Sequence, residues 1–255
     1  MDLDDYLAVI AAEGERFVAA AAEAGLDAVV PTCPEWVVRD VVLHNGEVHR
    51  WATAVVRGQA TNLGQVPEDF LGQLPADAEA FDWFRAGVAD LLDALRTADP
   101  AGGYATFLEN PPPSRLLFWA RRQAHELGMH RVDIESALAR CTPFGAAYGA
   151  DGVDEFLLGF VSRKRTNLHS PEPRSLVVAP IDSPQRWLLT ISDSPPVATR
   201  IEPEAELPSA DCVVTGTAHD LVLALWNRRD LTPFTFAGDR RLFELVRDSV
   251  HIRWS

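Results

Sequence analysis

The sequence predicts an α+β protein: a four-helix bundle followed by a smaller α+β domain with an antiparallel sheet. Three observations predict it. Up to about residue 140 the apolar side chains recur by threes and fours, as helices require. Beyond that point short runs rich in β-branched residues alternate with turn clusters. A Gly- and Ala-rich junction from Cys141 to Gly152 separates the two patterns. The expected division is 1–145 and 146–255, each part long enough to bury a core of its own.

The first helix is expected from Asp2 to Gly25, with Leu3, Leu7, Ile10 and Phe17 on one face. The second is expected to open at Thr32-Cys33-Pro34-Glu35, where the Thr hydroxyl can cap, Glu35 can reach back and Pro34 tolerates the first turn. Its inward stripe is Val37, Val41, His44, Val48, Trp51 and Val55. A polar stretch from Gly58 to Pro75 leads to a third helix marked by Phe81, Phe84, Val88, Leu91 and Leu95. The segment Asp99 to Pro113, with Gly102-Gly103 and Pro111-Pro112-Pro113, reads as a long connection ending at Ser114, an N-cap for a fourth helix running to about Arg140.

In the second part a helix over Val153 to Lys164 precedes four strand-like runs, 175–179, 186–191, 197–201 and 211–215, read as an antiparallel meander. Thr217-Ala218-His219-Asp220 starts a helix that stops near Asn227-Arg228-Arg229-Asp230, and a last helix spans Asp239 to about Val250.

The net charge of -14 comes from 23 basic and 37 acidic residues, -11 of it in residues 1–150 and -3 in the rest. That balance argues against nucleic acid, whose binding needs a basic surface. No apolar run approaches the roughly 18 residues of a membrane span. The Met1-Asp2-Leu3-Asp4-Asp5 start lacks a positive n-region, so a cytoplasmic protein with no membrane partner is expected. Cys33, Cys141 and Cys212 are too dispersed for a disulfide framework or a CxxC motif.

On the fourth helix Leu116, Trp119, Gln123, Glu126, His130 and Asp133 form a row that starts apolar and turns ionisable, beside a parallel apolar row. Residues i and i+4 share a helix face, so Glu126 and His130 can reach one ion, and His44 in the stripe of the second helix can supply a third donor. Two imidazoles and a carboxylate make a three-ligand divalent-metal site with room for a substrate. The same spacing also fits hydrogen-bonded core residues. Asp133 fits either an acceptor for a ligand imidazole or a salt bridge to Arg131 or Arg122. His49 and His125 read as structural or solvent-facing, and His169, His219 and His251 have no companion carboxylate. Trp36, Trp51, Trp83 and Trp119 read as core or pocket wall, and Arg163-Lys164-Arg165 as a solvated helix end.

The run Cys33-Pro34-Glu35-Trp36-Val37-Val38-Arg39-Asp40-Val41-Val42-Leu43-His44, with Glu126-Leu127-Gly128-Met129-His130-Arg131-Val132-Asp133 later, resembles the mycothiol-dependent maleylpyruvate isomerase family. Both its W-x(7)-H and its E-x(3)-H-x(2)-D elements are present. Gly216 to Arg229 is similar to the family's C-terminal domain. The resemblance implies a DinB-like bundle followed by a sterol-carrier-protein-like domain. It places zinc ligands on His44, Glu126 and His130, and a functional arginine on Arg228, with Arg229 as its equally charged neighbour. It implies mycothiol as thiol cosubstrate, added to an electrophilic small molecule with cis-trans isomerisation or S-transfer as the outcome. A zinc-water hydrolase and a non-catalytic ligand binder are the competing readings; imidazole and carboxylate would also accept nickel or iron.

Overall fold

The structure is a computed structural model that describes residues 1–58, 60–66, 69–70, 75–108, 114–163 and 166–250. Parts of the 58–75 loop, Pro111 to Pro113, Lys164, Arg165 and His251 lie outside the described residues. The chain divides into two compact units, one of residues 1–107 and 111–142 and one of residues 108–110 and 143–255.

Four long helices make the first unit: α1 (Leu3–Ala24), α2 (Val38–Arg57), α3 (Ala80–Thr97) and α4 (Arg115–Ser136). Asp2 caps α1 by accepting from the Asp5 amide at 2.9 Å, and Ser114 caps α4 by accepting from the Leu117 amide at 3.2 Å. α4 ends at Ser136, short of the expected Arg140, because Ala139 turns left-handed (φ 51°) and the Arg140 amide returns to the Glu135 carbonyl. The stacked rings of Phe17 and Phe84, with centroids 4.3 Å apart, tie α1 to α3.

The expected start of α2 is overturned. Thr32 is not its cap; the helix begins at Val38, and the Val37 amide donates to the Asp40 carboxylate at 2.9 Å. Residues 29–37 instead close a turned loop: Val29 bridges Val37, the Val30 amide donates to the Trp36 carbonyl, and the Trp36 amide donates to the Cys33 carbonyl. The Thr32 hydroxyl is spent elsewhere, on Asp133 of α4 at 2.7 Å. This long-range bond outcompetes the local cap and leaves Trp36 beside the bundle interior.

In the second unit a helix begins at Ala146, earlier than expected. It runs as α5 (Ala146–Asp154) and continues over Glu155–Val161 with π-helical hydrogen bonding. The sheet has the order β3-β2-β1-β4-β5, with β1 (Arg174–Pro180), β2 (Arg186–Ile191), β3 (Val197–Ile201), β4 (Cys212–Gly216) and β5 (Thr235–Gly238). Three of its four pairings are antiparallel, but β4 lies parallel to β1, so the sheet is mixed rather than a meander. The stretch between Ile201 and Cys212 is too long for a hairpin, and the chain uses it to cross to the other side of β1. β5 was not anticipated; it is four residues long and follows Pro233, so it carries no alternation to read.

Trp187, Leu189 and Ile191 of β2 are buried at every second position, as are Cys212 and Val214 of β4. α6 (Ala218–Leu225), capped by Thr217, packs on α5 at Gly149, where a side-chain carbon would lie 2.9 Å from the Ala218 and His219 backbone. Asp154 accepts from Trp187 Nε1 and from two nitrogens of Arg200, pinning α5 to β2 and β3. α7 (Arg241–Ser249) packs on β1 and β4. Among the described residues, no helix is long and apolar enough to cross a membrane.

Candidate metal centre

α2 and α4 face each other in antiparallel register, and three successive levels of their shared interior carry side chains of different chemistry. An apolar level pairs Trp51 with Trp119, ring centroids 5.1 Å apart. One turn on, His49 Nδ1 lies 2.7 Å from Gln123 Oε1, both residues fully buried. The next level holds His44, Glu126 and His130.

The three residues singled out from spacing are brought together. Glu126 Oε1 lies 3.3 Å from His44 Nε2 and 3.2 Å from His130 Nε2, and one donor atom from each residue falls within 4.8 Å of the others. His44 is the most exposed of the three at 18% of its side chain, against 11% for His130 and 7% for Glu126. The Trp36 ring packs over it, with centroids 5.0 Å from His44 and 6.1 Å from His130.

Asp133 takes the acceptor role rather than the salt bridge. His130 Nδ1 donates to Asp133 Oδ2 at 2.9 Å, and Thr32 Oγ1 donates to Asp133 Oδ1 at 2.7 Å. The carboxylate therefore orients the His130 ring with Nε2 towards Glu126, and once a cation displaced the Nε2 proton it would keep the remaining proton on Nδ1, as supporting carboxylates do for metal-bound imidazoles. Arg131 goes instead to Glu13, Glu135 and the Thr142 carbonyl, and Arg122 to Glu126 Oε2 at 3.1 Å.

The electrostatics differ between neighbouring levels. Burial would raise the Glu126 pKa, but hydrogen bonds from His130 and His44 and the charges of His130 and Arg122 hold it well below the ordinary carboxylate value. Burial would lower His130, but Asp133 and Glu126 reverse this and lift it to about 9. At His49 burial prevails over the Gln123 hydrogen bond, and the pKa falls to about 4. A cation at this level would therefore displace a proton from His130, while His49 stays neutral.

The donor set fits a divalent cation: two imidazole nitrogens and one carboxylate oxygen converge, one imidazole is oriented by a carboxylate behind it, and His44 keeps part of its side chain exposed. His49 and His125 are buried, so neither is solvent-facing, and neither belongs to the triad. His219 Nδ1 accepts from the Phe144 amide at 3.1 Å, a structural role. In the other unit Arg228 follows α6 and donates to the Trp226 carbonyl at 2.7 Å, whereas Arg229 is ion-paired with Asp220 at 2.6 Å.

Trp36, read from the sequence as core or pocket wall, lies over the triad, and sequence reasoning missed two contributors, Thr32 and Arg122. Arg122 was legible, since it stands four residues before Glu126 on the same helix face. Thr32 was not, because its partner Asp133 is distant in sequence.

Two family models match the chain: the mycothiol maleylpyruvate isomerase N-terminal domain over residues 7–135 and the C-terminal domain of the same family over residues 149–245. Two solved structures are similar in fold. One is a mycothiol-dependent maleylpyruvate isomerase, with a TM-score of 0.58, 14% identity and 93% of each chain covered. The other is a histidine-to-alanine variant of such an enzyme, with a TM-score of 0.59 and the same identity and coverage. No curated protein sequence matches.

Proposed function

The chain belongs to the mycothiol maleylpyruvate isomerase family, and we propose that it is a metal-dependent enzyme that adds mycothiol to an electrophilic small molecule. The observation that carries this reading is the convergence of His44 Nε2, Glu126 Oε1 and His130 Nε2 between α2 and α4.

A divalent cation at the triad, zinc by preference of the donor set, supplies the Lewis acidity that keeps a thiol ionised at neutral pH. The protein's own residues do the rest. Asp133 and Thr32 fix the orientation of His130, and Trp36 gives the triad an aromatic wall that restricts water. His49, held neutral, adds no positive charge to compete with the cation.

The thiolate sulfur forms a C–S bond to an alkene carbon conjugated with a carbonyl, and the alkene electron pair moves onto that carbonyl as an enolate. The former double bond can then rotate. If the enolate pair returns to reform the double bond and the sulfur leaves with the C–S pair, thiolate is regenerated and the outcome is cis-trans isomerisation. If the enolate carbon takes a proton, the outcome is an S-conjugate. Arg228 is the proposed functional arginine, whose guanidinium would fork onto a substrate carboxylate.

The test is turnover of maleylpyruvate and a panel of electrophiles by the metal-loaded protein, with and without mycothiol. Thiol-dependent turnover that falls at least a hundredfold in His44→Ala and about tenfold or more in Arg228→Ala is expected, a loss of about 1.4 kcal/mol per tenfold. Turnover without thiol would favour the hydrolase, and ligand retention without turnover would favour the non-catalytic binder.

A further inference from the structure

The two oxygens of Glu126 have separate partners. Oε1 faces both imidazoles, at 3.3 and 3.2 Å, whereas Oε2 accepts from Arg122 Nη2 at 3.1 Å. Arg122 and Glu126 stand four apart on α4, and their side chains are only 3% and 7% exposed. A guanidinium buried in a helix bundle costs several kcal/mol of desolvation, so its presence calls for a reason. Charge balance is a poor one once a cation is bound, because two neutral imidazoles, one carboxylate and a divalent ion already sum to a net positive site. What Arg122 adds is direction: a charged donor on Oε2 competes with an ion for that oxygen and leaves Oε1 to face the imidazoles.

Resting on the metal reading above, we propose that Arg122 is a positioning residue that restricts Glu126 to binding a cation through Oε1 alone, keeping a coordination position open for the thiol. With a chelating Glu126 the same three residues would supply four donor atoms and fill a tetrahedral shell. With a single oxygen they supply three. The residual positive charge of the loaded site and of Arg122 then favours an anionic fourth ligand, the thiolate, over water.

The proposal is tested with cobalt(II) in place of the native ion, since the intensity of its visible absorption falls severalfold when coordination rises from four to five or six. Wild type is expected to show the intense four-coordinate spectrum. Arg122→Met is expected to bind cobalt with a spectrum several times weaker, and Arg122→Lys, which keeps a donor on Oε2, to recover most of the intensity. A structural role alone would lower the melting temperature of Arg122→Met and leave its cobalt spectrum as in wild type; that result would overturn the proposal. Zinc-edge X-ray absorption of the wild-type protein decides the question even if Arg122→Met fails to fold. One carboxylate oxygen in the first shell supports the proposal, and a chelating carboxylate refutes it. Failure of wild type to bind cobalt or zinc at all would instead remove the metal reading itself.

Discussion

α4 of the first unit and α6 of the second are buried to nearly the same degree and made of opposite materials. α4 buries 18 of its 22 residues, and eight of those are Arg122, Gln123, His125, Glu126, His130, Arg131, Asp133 and Glu135. α6 buries seven of eight, and only His219 among them is polar. A helix that exists to fill a core follows α6, since each buried aliphatic side chain contributes about 1.5–3 kcal/mol and needs no partner. A helix like α4 must partner nearly every polar atom it buries and gains little net stability by doing so. The contrast separates what holds the molecule together from what it is folded to present.

The polar interior of α4 is itself divided. Towards α1, Arg131 bonds Glu13 and Glu135 as a fully buried ion triad, and Glu135 also takes the Thr142 amide and hydroxyl. Towards α2, the His49–Gln123 level is incompletely satisfied: both amide atoms of Asn45, Gln123 Nε2 and His49 Nε2 have no hydrogen-bond partner among the described residues. The first region is held by charged pairs across α1 and α4, and the second lies one level from the triad and leaves neutral polar atoms unpaired.

Breaking those charged pairs gives the largest stability effect. Arg131→Met strands two buried carboxylates and is expected to cost about 3–5 kcal/mol by denaturant unfolding. Leu223→Ala in α6 is expected to cost a comparable 2–5 kcal/mol. The contrast is sharpened by metal affinity: Leu223→Ala leaves it unchanged if the two units fold independently of the site. Asp133→Asn preserves shape but removes the charge behind His130, and metal affinity measured by calorimetry is expected to fall about 10–100-fold, with a loss of metal-free stability at neutral pH because the carboxylate that raises His130 is gone. If Asp133→Asn unfolds the protein without changing affinity, Asp133 belongs to the structural set instead.

The pH dependence of the metal-free protein distinguishes the two histidine levels. His130 has a raised folded pKa of about 9, so its contribution is fully present below the unfolded value near 6.5 and is lost as pH rises from there through 9. His49 has a folded pKa lowered to about 4, so stability is lost as pH falls from 6.5 towards 4, where only the unfolded state takes the proton. Thermal unfolding of metal-free protein is therefore expected to peak near neutral pH, with His49→Leu flattening the acid side alone. The smallest effect is expected from Asn45→Leu, which replaces two unsatisfied polar atoms by an apolar side chain of similar volume and should stabilise the fold by about 1 kcal/mol.

Much of this was legible in the sequence. Helical spacing located α1, α3 and α4, and the caps at Asp2, Ser114 and Thr217 are used as the residue types imply. His44, Glu126 and His130 stood out because ionisable groups interrupted stripes that otherwise read as core. What was not legible depended on distant partners. Thr32 reads as a local cap until Asp133 competes for its hydroxyl, and β4 reads as the next strand of a meander until the chain crosses over to run parallel to β1. His49 carries no signal of burial in its own neighbourhood; Gln123 and Phe84, from two other helices, enclose it.

The central claim is that His44, Glu126 and His130 share one divalent ion. Calorimetric titration of metal-free protein with zinc tests it most directly, in wild type and in His44→Ala, Glu126→Gln and His130→Ala. The account predicts one ion per chain in wild type, with a proton released near pH 7.5 as His130 is freed, and at least a hundredfold weaker binding in each variant. Wild-type affinity in all three variants, or no zinc bound by correctly folded wild type, would contradict it.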